Sequence, residues 1–368
     1  MEISITDQYL QRAVQVARVS DREALVLKTK LKKVHADLLK EILFKYENLT
    51  PSKFTILSVE IAKEIDNFYA TTAQPDIKKL GEVLFDKEIL WNDRALSSAF
   101  GSEVVLSKRA RTSASIASKH IYQGSTFDEL FADLGVKNSK RITDQLRLAW
   151  LNGASPKDAQ GLLFSTMTHS EHNITTLTRS YMQVLSTTAR EDSLVENSEF
   201  IDGRIWSSIL DNRTTPNICG IRDQLKYDND YQPINHGIPW GAGPGAIHFN
   251  CRSSSLPYIR GDNKRLKRTA VVADENYTFG DKHTRTGKVR KFTKNSRERG
   301  IYKIENTTTQ SNYEKWLRRQ PKDFVSDALN SRAKASEFLG GKRLTEFLPD
   351  SGLGSLGSVS NISLDSLL

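Results

Sequence analysis

The sequence predicts an α+β fold: a mainly helical N-terminal part, a small turn-rich α+β module, a basic arm and short C-terminal helices. Three observations carry that reading. Apolar residues recur at helical spacing through most of the first 190 residues. Pro216, Pro233, Pro239, Pro244 and Pro257 crowd the stretch from Arg204 to Tyr258 and exclude long helices there. The surplus positive charge is concentrated in one later segment.

The elements follow in order. Ser20-Asp21-Arg22-Glu23 reads as a capping box. Behind it, Leu27, Leu31, Val34, Leu38 and Ile42 share one helix face, with Lys28, Lys30, Lys32 and Lys33 mostly off it as a solvated surface. Pro51 opens a second helix with the stripe Phe54, Leu57, Ile61, Ile65 and Phe68, so an antiparallel helix pair is expected. Leu80, Val83, Leu84, Ile89, Leu90 and Trp91 suggest more helix, broken near Asn92-Asp93. Phe127, Leu130, Phe131 and Leu134 form a helix from about Ser125, with Gly135 placed to end it. Ile142, Leu146 and Trp150 form another, stopping at Gly153. Ser155-Pro156 is an N-cap followed by a first-turn proline, and Leu177, Tyr181, Val184 and Leu185 carry that helix to about Glu191. Val271-Val272, Tyr277 and Phe279 are candidates for a short hairpin. Helix resumes at Asn312, with Tyr313, Trp316 and Leu317, then Phe324, Ala328 and Leu329.

The organisation expected is therefore a helical region over 1–115, a second over 116–200, the module over 201–258, the basic arm over 259–311, a helical region over 312–348 and a Ser/Gly/Leu-rich flexible tail over 349–368. Hydrophobic content of 38% and a mean hydropathy of −0.48 fit a soluble chain. The first residues lack a basic and then apolar leader, and no apolar run approaches membrane-spanning length. A protein made and assembled inside a cell, with no membrane partner, is expected. Cys219 and Cys251 are then not expected to form a structural disulfide.

Within the module, Asp211, Arg213 and Thr214 place a carboxylate, a fork of donors and a hydroxyl around one turn. Asn250 and Arg252 are placed to close the same network from the other end. Irregular backbone needs such side-chain partners, so bracing and not chemistry is the role expected of this set. Gly241-Ala242-Gly243-Pro244-Gly245-Ala246 is a tight turn, since Pro244 interrupts it and no nucleotide-binding strand and helix flank it. Cys219, His236, His248 and Cys251 are zinc-ligand types, but only His248 and Cys251 are closely spaced and no Cys-x2-Cys pair exists. No local signature of a nucleophilic enzyme is present.

Trp206, Asp211, Arg213-Thr214, Cys219 and Asp223, followed by prolines and then by His248-x-Asn250-Cys251-Arg252 and Pro257, resemble the Mu F-like minor head proteins of tailed bacteriophages. Thr178-Arg179-Ser180 matches a family signature upstream, and Tyr313-x2-Trp316-Leu317-x2-Gln320-Pro321 resembles the family's tail motif. The resemblance covers roughly residues 120 to 348. Trp206, Asp211, Arg213, Thr214, Asn250, Cys251 and Arg252 are its motif residues. Many relatives carry a second cysteine after the Asn-Cys-Arg, where this chain has Ser253 and Ser254. With that departure, neither a metal nor any other cofactor is expected. The resemblance implies a structural virion component in the capsid interior near the portal vertex, present in the host cytoplasm during assembly. Its expected partners are the portal protein, other head proteins and genomic double-stranded DNA, with no small-molecule substrate. The alternative is a metal-dependent nuclease or toxin-like enzyme using Asp211, His248 and Cys251.

The charge pattern fits a DNA partner. From Arg260 to Arg299 there are thirteen Lys/Arg and five Asp/Glu, a surplus of eight out of a net +9. Arg260, Lys264, Arg265, Lys267, Arg268, Lys288, Arg290 and Lys291 are the residues expected to meet phosphate. With few aromatics nearby for base stacking, duplex DNA is expected in preference to single-stranded RNA.

Overall fold

The first helix takes up the stripe that the sequence predicts and extends it in the N-terminal direction. The computed structural model describes residues 5–100, 121, 122, 124–260, 267–273, 302–308 and 311–347, and helix α1 runs Ile5–Tyr46. The capping box expected at Ser20 is not a helix start. Ser20 lies mid-helix, and its hydroxyl donates to the Val16 carbonyl at 2.8 Å, a common way for serine to sit inside a helix. Tyr9 and Val16 extend the buried stripe ahead of it. Helix α2, Pro51–Phe68, begins as expected: Thr50 accepts from Lys53 N, Pro51 occupies the first turn, and all five stripe residues are buried.

A π-helical turn, Tyr69–Ala73, leads directly into α3, Gln74–Phe100. Asn92 and Asp93 do not break α3. Both are buried: the Asn92 amide donates to the Glu88 carbonyl at 2.7 Å within the helix, and Asp93 Oδ1 accepts from the Ser193 hydroxyl at 3.3 Å. Helix α4, Phe127–Leu151, carries a complete capping box between Thr126 and Glu129. Gly135 does not end it. A Cβ at that position would lie 3.3 Å from the Tyr69 ring, so the glycine lets α4 press onto the π turn. The helix stops before Gly153, and Ser155 then caps α5, Pro156–Glu196, as the sequence predicts.

Helices α1 and α5 form the long axis of the bundle, each roughly 60 Å at 1.5 Å per residue. They run antiparallel. Asp21 pairs with Arg179, His35 meets Glu171 and the Tyr46 hydroxyl reaches the Ala154 carbonyl, so the pairs climb one helix as they descend the other. Helix α2 packs mainly on α4 and only lightly on α1, so the expected α1–α2 pair is not the organising unit. One core contains Leu31, Ile61, Phe85, Leu134, Leu163 and Leu185 from all five helices. The two helical regions separated at 115/116 on sequence grounds are thus one bundle.

The strands are short. Ile121–Tyr122 (β1) and Ser125–Thr126 (β2) form a small antiparallel pair ahead of α4. Gly203–Ser207 (β3) lies between Lys226–Tyr227 (β4) and Ser254–Tyr258 (β5) in an antiparallel sheet of order β4-β3-β5, with Ile205 opposite Leu256. Pro257 is tolerated because β5 is an edge strand. Gly203 is required: its φ is +148°, and a Cβ there would come within 1.9 Å of the Tyr227 carbonyl oxygen.

The segment expected as an exposed arm begins and ends in structure. Lys267–Ala273 (β6) pairs antiparallel with Tyr302–Thr308 (β7), Val271 facing Ile304. The hairpin expected around Val271 therefore closes on a strand about thirty residues on, while Tyr277 and Phe279 lie outside the described residues, as does the tail over 349–368. Three short helices follow, Tyr313–Leu317 (α6), Lys322–Ala328 (α7) and Arg332–Leu339 (α8). They do not stand apart. Tyr313, Trp316, Phe324 and Phe338 share a core with Leu210 and Ile221 of the module and Ala270 of β6. Among the described residues, no helix is long and apolar enough to cross a membrane.

Glu88 ties three helices together at one end of the bundle. Its Oε1 accepts from Arg12 Nε at 2.6 Å and its Oε2 from Ser186 Oγ at 3.0 Å, with Arg190 Nη2 at 3.9 Å. Glu88 and Arg190 are both fully buried. Glu88→Ala is expected to cost about 3–5 kcal/mol, because a buried guanidinium loses its counter-charge. Urea unfolding of the full chain measures this, and a loss under about 1 kcal/mol would show that the pair is not a keystone of the bundle.

Candidate functional site

The residues singled out in the module do not form one site. They form two buried carboxylate braces and a separate cluster of two cysteines and a histidine.

The first brace is centred on Asp211. Its Oδ1 accepts from the backbone N–H groups of Arg213 and Thr214, both at 3.0 Å, and from the Thr214 hydroxyl at 3.3 Å. Arg252 grips both carboxylate oxygens at 2.7 and 2.8 Å, closing the turn from 41 residues away. This is the bracing expected of Asp211, Thr214 and Arg252. Arg213 differs: it contributes its backbone N–H, while its side chain is exposed. Asn250 differs too. Its φ of +57° makes the turn that lets Cys251 N donate to the His248 carbonyl, a conformation asparagine tolerates. Asn250 N donates to Ser180 Oγ at 2.8 Å and its amide to Thr176 Oγ1 at 3.2 Å. The Thr178-Arg179-Ser180 stretch is therefore where α5 receives the Asn-Cys-Arg turn.

The second brace is centred on Asp223, which the sequence offered only as part of a motif. Arg268 grips it with two nitrogens, each at 2.9 Å. Ser208 N and Tyr313 N each donate to it at 2.7 Å, and Arg268 also donates to the Ser208 carbonyl. Arg268 is thus corrected from a DNA contact to a buried structural residue: its guanidinium is enclosed in the core and taken by Asp223 and the Ser208 carbonyl, which leaves it unable to reach a phosphate. Of the other residues expected to meet phosphate, Arg260 is exposed beside Asp202, and Lys267 lies in β6. Lys264, Arg265, Lys288, Arg290 and Lys291 lie outside the described residues.

Aromatic packing fills the rest of the module. Trp206 is fully buried, donates to Ser208 Oγ at 3.1 Å and meets Trp240 edge-on. Arg222, fully buried, lies over the Trp206 ring and donates to the Pro239 and Ile218 carbonyls. Arg204, also fully buried, pairs with Glu191 of α5. Neither arginine is marked by spacing in the sequence.

Cys219, His248 and Cys251 converge. Cys219 Sγ lies 2.9 Å from His248 Nε2 and 3.7 Å from Cys251 Sγ. His236 is elsewhere, against the Lys226 carbonyl. Burial works to raise the Cys251 thiol, but the hydrogen bond from Cys219, the adjacent His248 and the Ser253 N–H outweigh it and hold it well below the ordinary thiol value. Cys219 is pushed well above that value by burial and by Cys251. Gly245, in the glycine-rich turn, donates its N–H to Cys251 Sγ at 3.2 Å.

A shallow cleft of about 20 Å³ opens beside these groups, among Asp21, Arg179, Gln183, Arg213, Asn250, Cys251 and Arg252. That is room for one water-sized group. Its walls carry three arginines, and Arg213 has a lowered pKa chiefly because Arg252 faces it.

Two outcomes follow. Arg268→Ala is expected to destabilise the fold by about 3–5 kcal/mol, leaving Asp223 buried without its counter-charge, and to leave the salt dependence of any DNA binding unchanged. Thermal unfolding and a binding titration in parallel decide between a core residue and a surface contact. For Asp211, burial works to raise the carboxyl, but Arg252 and the turn N–H groups more than offset it and leave it lowered. A carboxyl lowered in the folded state stabilises above its unfolded pKa of about 4 and loses that contribution as pH falls through the folded value. Asp211→Asn should therefore lower stability at neutral pH and narrow its gap to wild type below about pH 4, measured as unfolding free energy against pH.

No protein-family profile, curated protein or solved structure matches the chain; the residues and their geometry carry the functional reading.

Proposed function

We propose that this chain is a structural minor head protein of a tailed bacteriophage, acting at the portal and capsid interior in head assembly, DNA packaging or DNA ejection. The observation that supports this best is what the motif residues do. Asp211, Thr214, Asn250 and Arg252 hold irregular backbone and dock it onto α5, as a scaffold would need. The Asp211 carboxylate is fully engaged in that task.

The nuclease alternative asks Asp211, His248 and Cys251 to act at one metal. Both Asp211 oxygens are taken by Arg252, and the carboxylate is not part of the Cys219–His248–Cys251 group. The adjoining cleft is too small for a nucleotide. A scaffolding role is the better fit.

The second support is electrostatic. Most of the net positive charge lies between Arg260 and Arg299, and β6 and β7 pair on either side of 274–301. Lysines and arginines there would release counterions from duplex phosphates without reading base sequence.

Two measurements test this. Recovery of the portal protein with the chain from infected cells supports the assembly role, and recovery with no head protein overturns it. Duplex DNA binding should weaken steeply with salt. Replacing Lys264, Arg265, Lys288, Arg290 and Lys291 with Ala should shrink the slope of log affinity against log salt by about 0.9 for each phosphate that is no longer neutralised. Fluorescence anisotropy over a salt series reads that slope. An unchanged slope, or no binding by wild type at low salt, removes DNA as the partner of this segment.

A further inference from the structure

The Cys219–His248–Cys251 group carries more than its sequence spacing suggested. We propose that these three side chains bind one zinc ion, which acts as a structural staple of the module.

The ligand atoms all lie within 4.8 Å of one another. A tetrahedral zinc with Zn–S bonds of about 2.3 Å separates two sulfurs by about 3.8 Å. Cys219 and Cys251 hold their sulfurs 3.7 Å apart, already at that edge length. A sulfur and an imidazole nitrogen on the same ion would be about 3.6 Å apart. Cys219 Sγ and His248 Nε2 stand at 2.9 Å, so the ring has to draw back by less than about 1 Å as the ion enters.

The surroundings are those of a metal ligand set. His248 Nδ1 faces the Phe249 carbonyl at 2.8 Å. That contact fixes the ring with Nε2 turned to the sulfurs, the arrangement by which proteins orient a metal-binding histidine. Cys251 Sγ receives N–H groups from Gly245 and Ser253, which favour the thiolate a metal requires. Binding leaves two thiolates and a neutral imidazole around the ion, and the protons displaced from the ligands go to solvent. The fourth position falls to an oxygen donor. Among the described residues, the Ser253 hydroxyl is at hand: it hydrogen-bonds to the Cys219 thiol and lies 3.1 Å from Ser208 Oγ.

The location gives the ion a purpose. The cluster around it, Trp206, Tyr227, Trp240 and Ile247, is small and supported by little regular structure. Zinc would join the turn at Cys219 to the turn at Cys251 across a proline-rich loop, and small modules gain folding free energy from such a closure. It would also fix the Asn250 turn that docks onto α5. Both cysteines are buried, and the adjoining cleft of about 20 Å³ leaves no room for a substrate at the ion, so its role is structural.

The test uses the full chain purified under reducing conditions without chelator. Elemental analysis should return about one zinc per chain. Exchange with cobalt(II) should give the visible bands of a tetrahedral site and a thiolate-to-cobalt charge-transfer absorption. Cys251→Ser and His248→Ala should each weaken zinc binding by more than the roughly 10- to 100-fold typical of losing a ligand's hydrogen-bond partner. Should either variant fail to fold, the wild-type cobalt spectrum and its loss on thiol alkylation still decide the matter. Three results overturn the proposal: metal-free protein with no thiolate–cobalt absorption, a Cys219–Cys251 disulfide as the stable form under reducing purification, or full zinc retained by both variants. None of these bears on portal or DNA binding, so the staple and the assembly role stand or fall separately.

Discussion

A buried carboxylate, Asp223, is the point on which the C-terminal half depends. It receives the Arg268 guanidinium from β6, the Ser208 N–H from the end of β3 and the Tyr313 N–H from the start of α6. Three stretches far apart in sequence thus share one negative charge. In a low-dielectric interior that charge is costly unless its donors are in place, so the carboxylate couples the three stretches to one another. The apolar cluster of Leu210, Ala270, Tyr313 and Trp316 then has a fixed frame to pack into. The same logic holds at Asp211, where Arg252 answers the carboxylate and the Tyr313 hydroxyl reaches the Asp211 carbonyl at 3.1 Å. Tyr313 therefore belongs to both braces.

The helical bundle was legible because its signals are local. Stripes at Leu27–Ile42 and Phe54–Phe68, the opening proline at Pro51 and the cap at Ser155 need only a window of a few turns to read. Where local signals misled, packing had overruled them. Ser20 and Gly135 carry end-of-helix chemistry but face packed neighbours, a preceding helix turn in one case and the Tyr69 ring in the other. The Asp211 turn was legible for the same reason as the caps: its partners at Arg213 and Thr214 are adjacent in sequence. Arg268 was not, because its counter-charge lies 45 residues earlier and nothing in a run of basic residues marks which one turns inward. The Cys219–His248–Cys251 group was half legible. His248 and Cys251 are neighbours in sequence, but Cys219 reaches them only through the fold of the intervening loop.

The module and the bundle are joined by two kinds of contact. The polar kind is directional: Asn250 docks by hydrogen bonds to Thr176 and Ser180, Arg190 reaches the Ser255 carbonyl, and Arg204 meets Glu191. The apolar kind adds Ile201 and Leu256 against Tyr9 and Leu194. The face of α5 that receives the module is therefore rich in buried hydroxyls and amides, with the buried Arg190, where a bundle helix would ordinarily be apolar. Directional bonds of this kind fix the module's orientation on the helix more tightly than burial alone, since they tolerate little rotation or slip.

The ladder between β6 and β7 has a consequence for how this chain can vary. Because Ala273 is held opposite Tyr302, the two ends of the intervening sequence are fixed side by side. Closing a longer or shorter loop between such ends changes the free energy only slowly with length. By that scaling, a flexible connection twice as long between Ala273 and Tyr302 would add only about 0.6 kcal/mol to the cost of pairing β6 with β7, so the ladder itself sets little constraint on how many residues separate its strands.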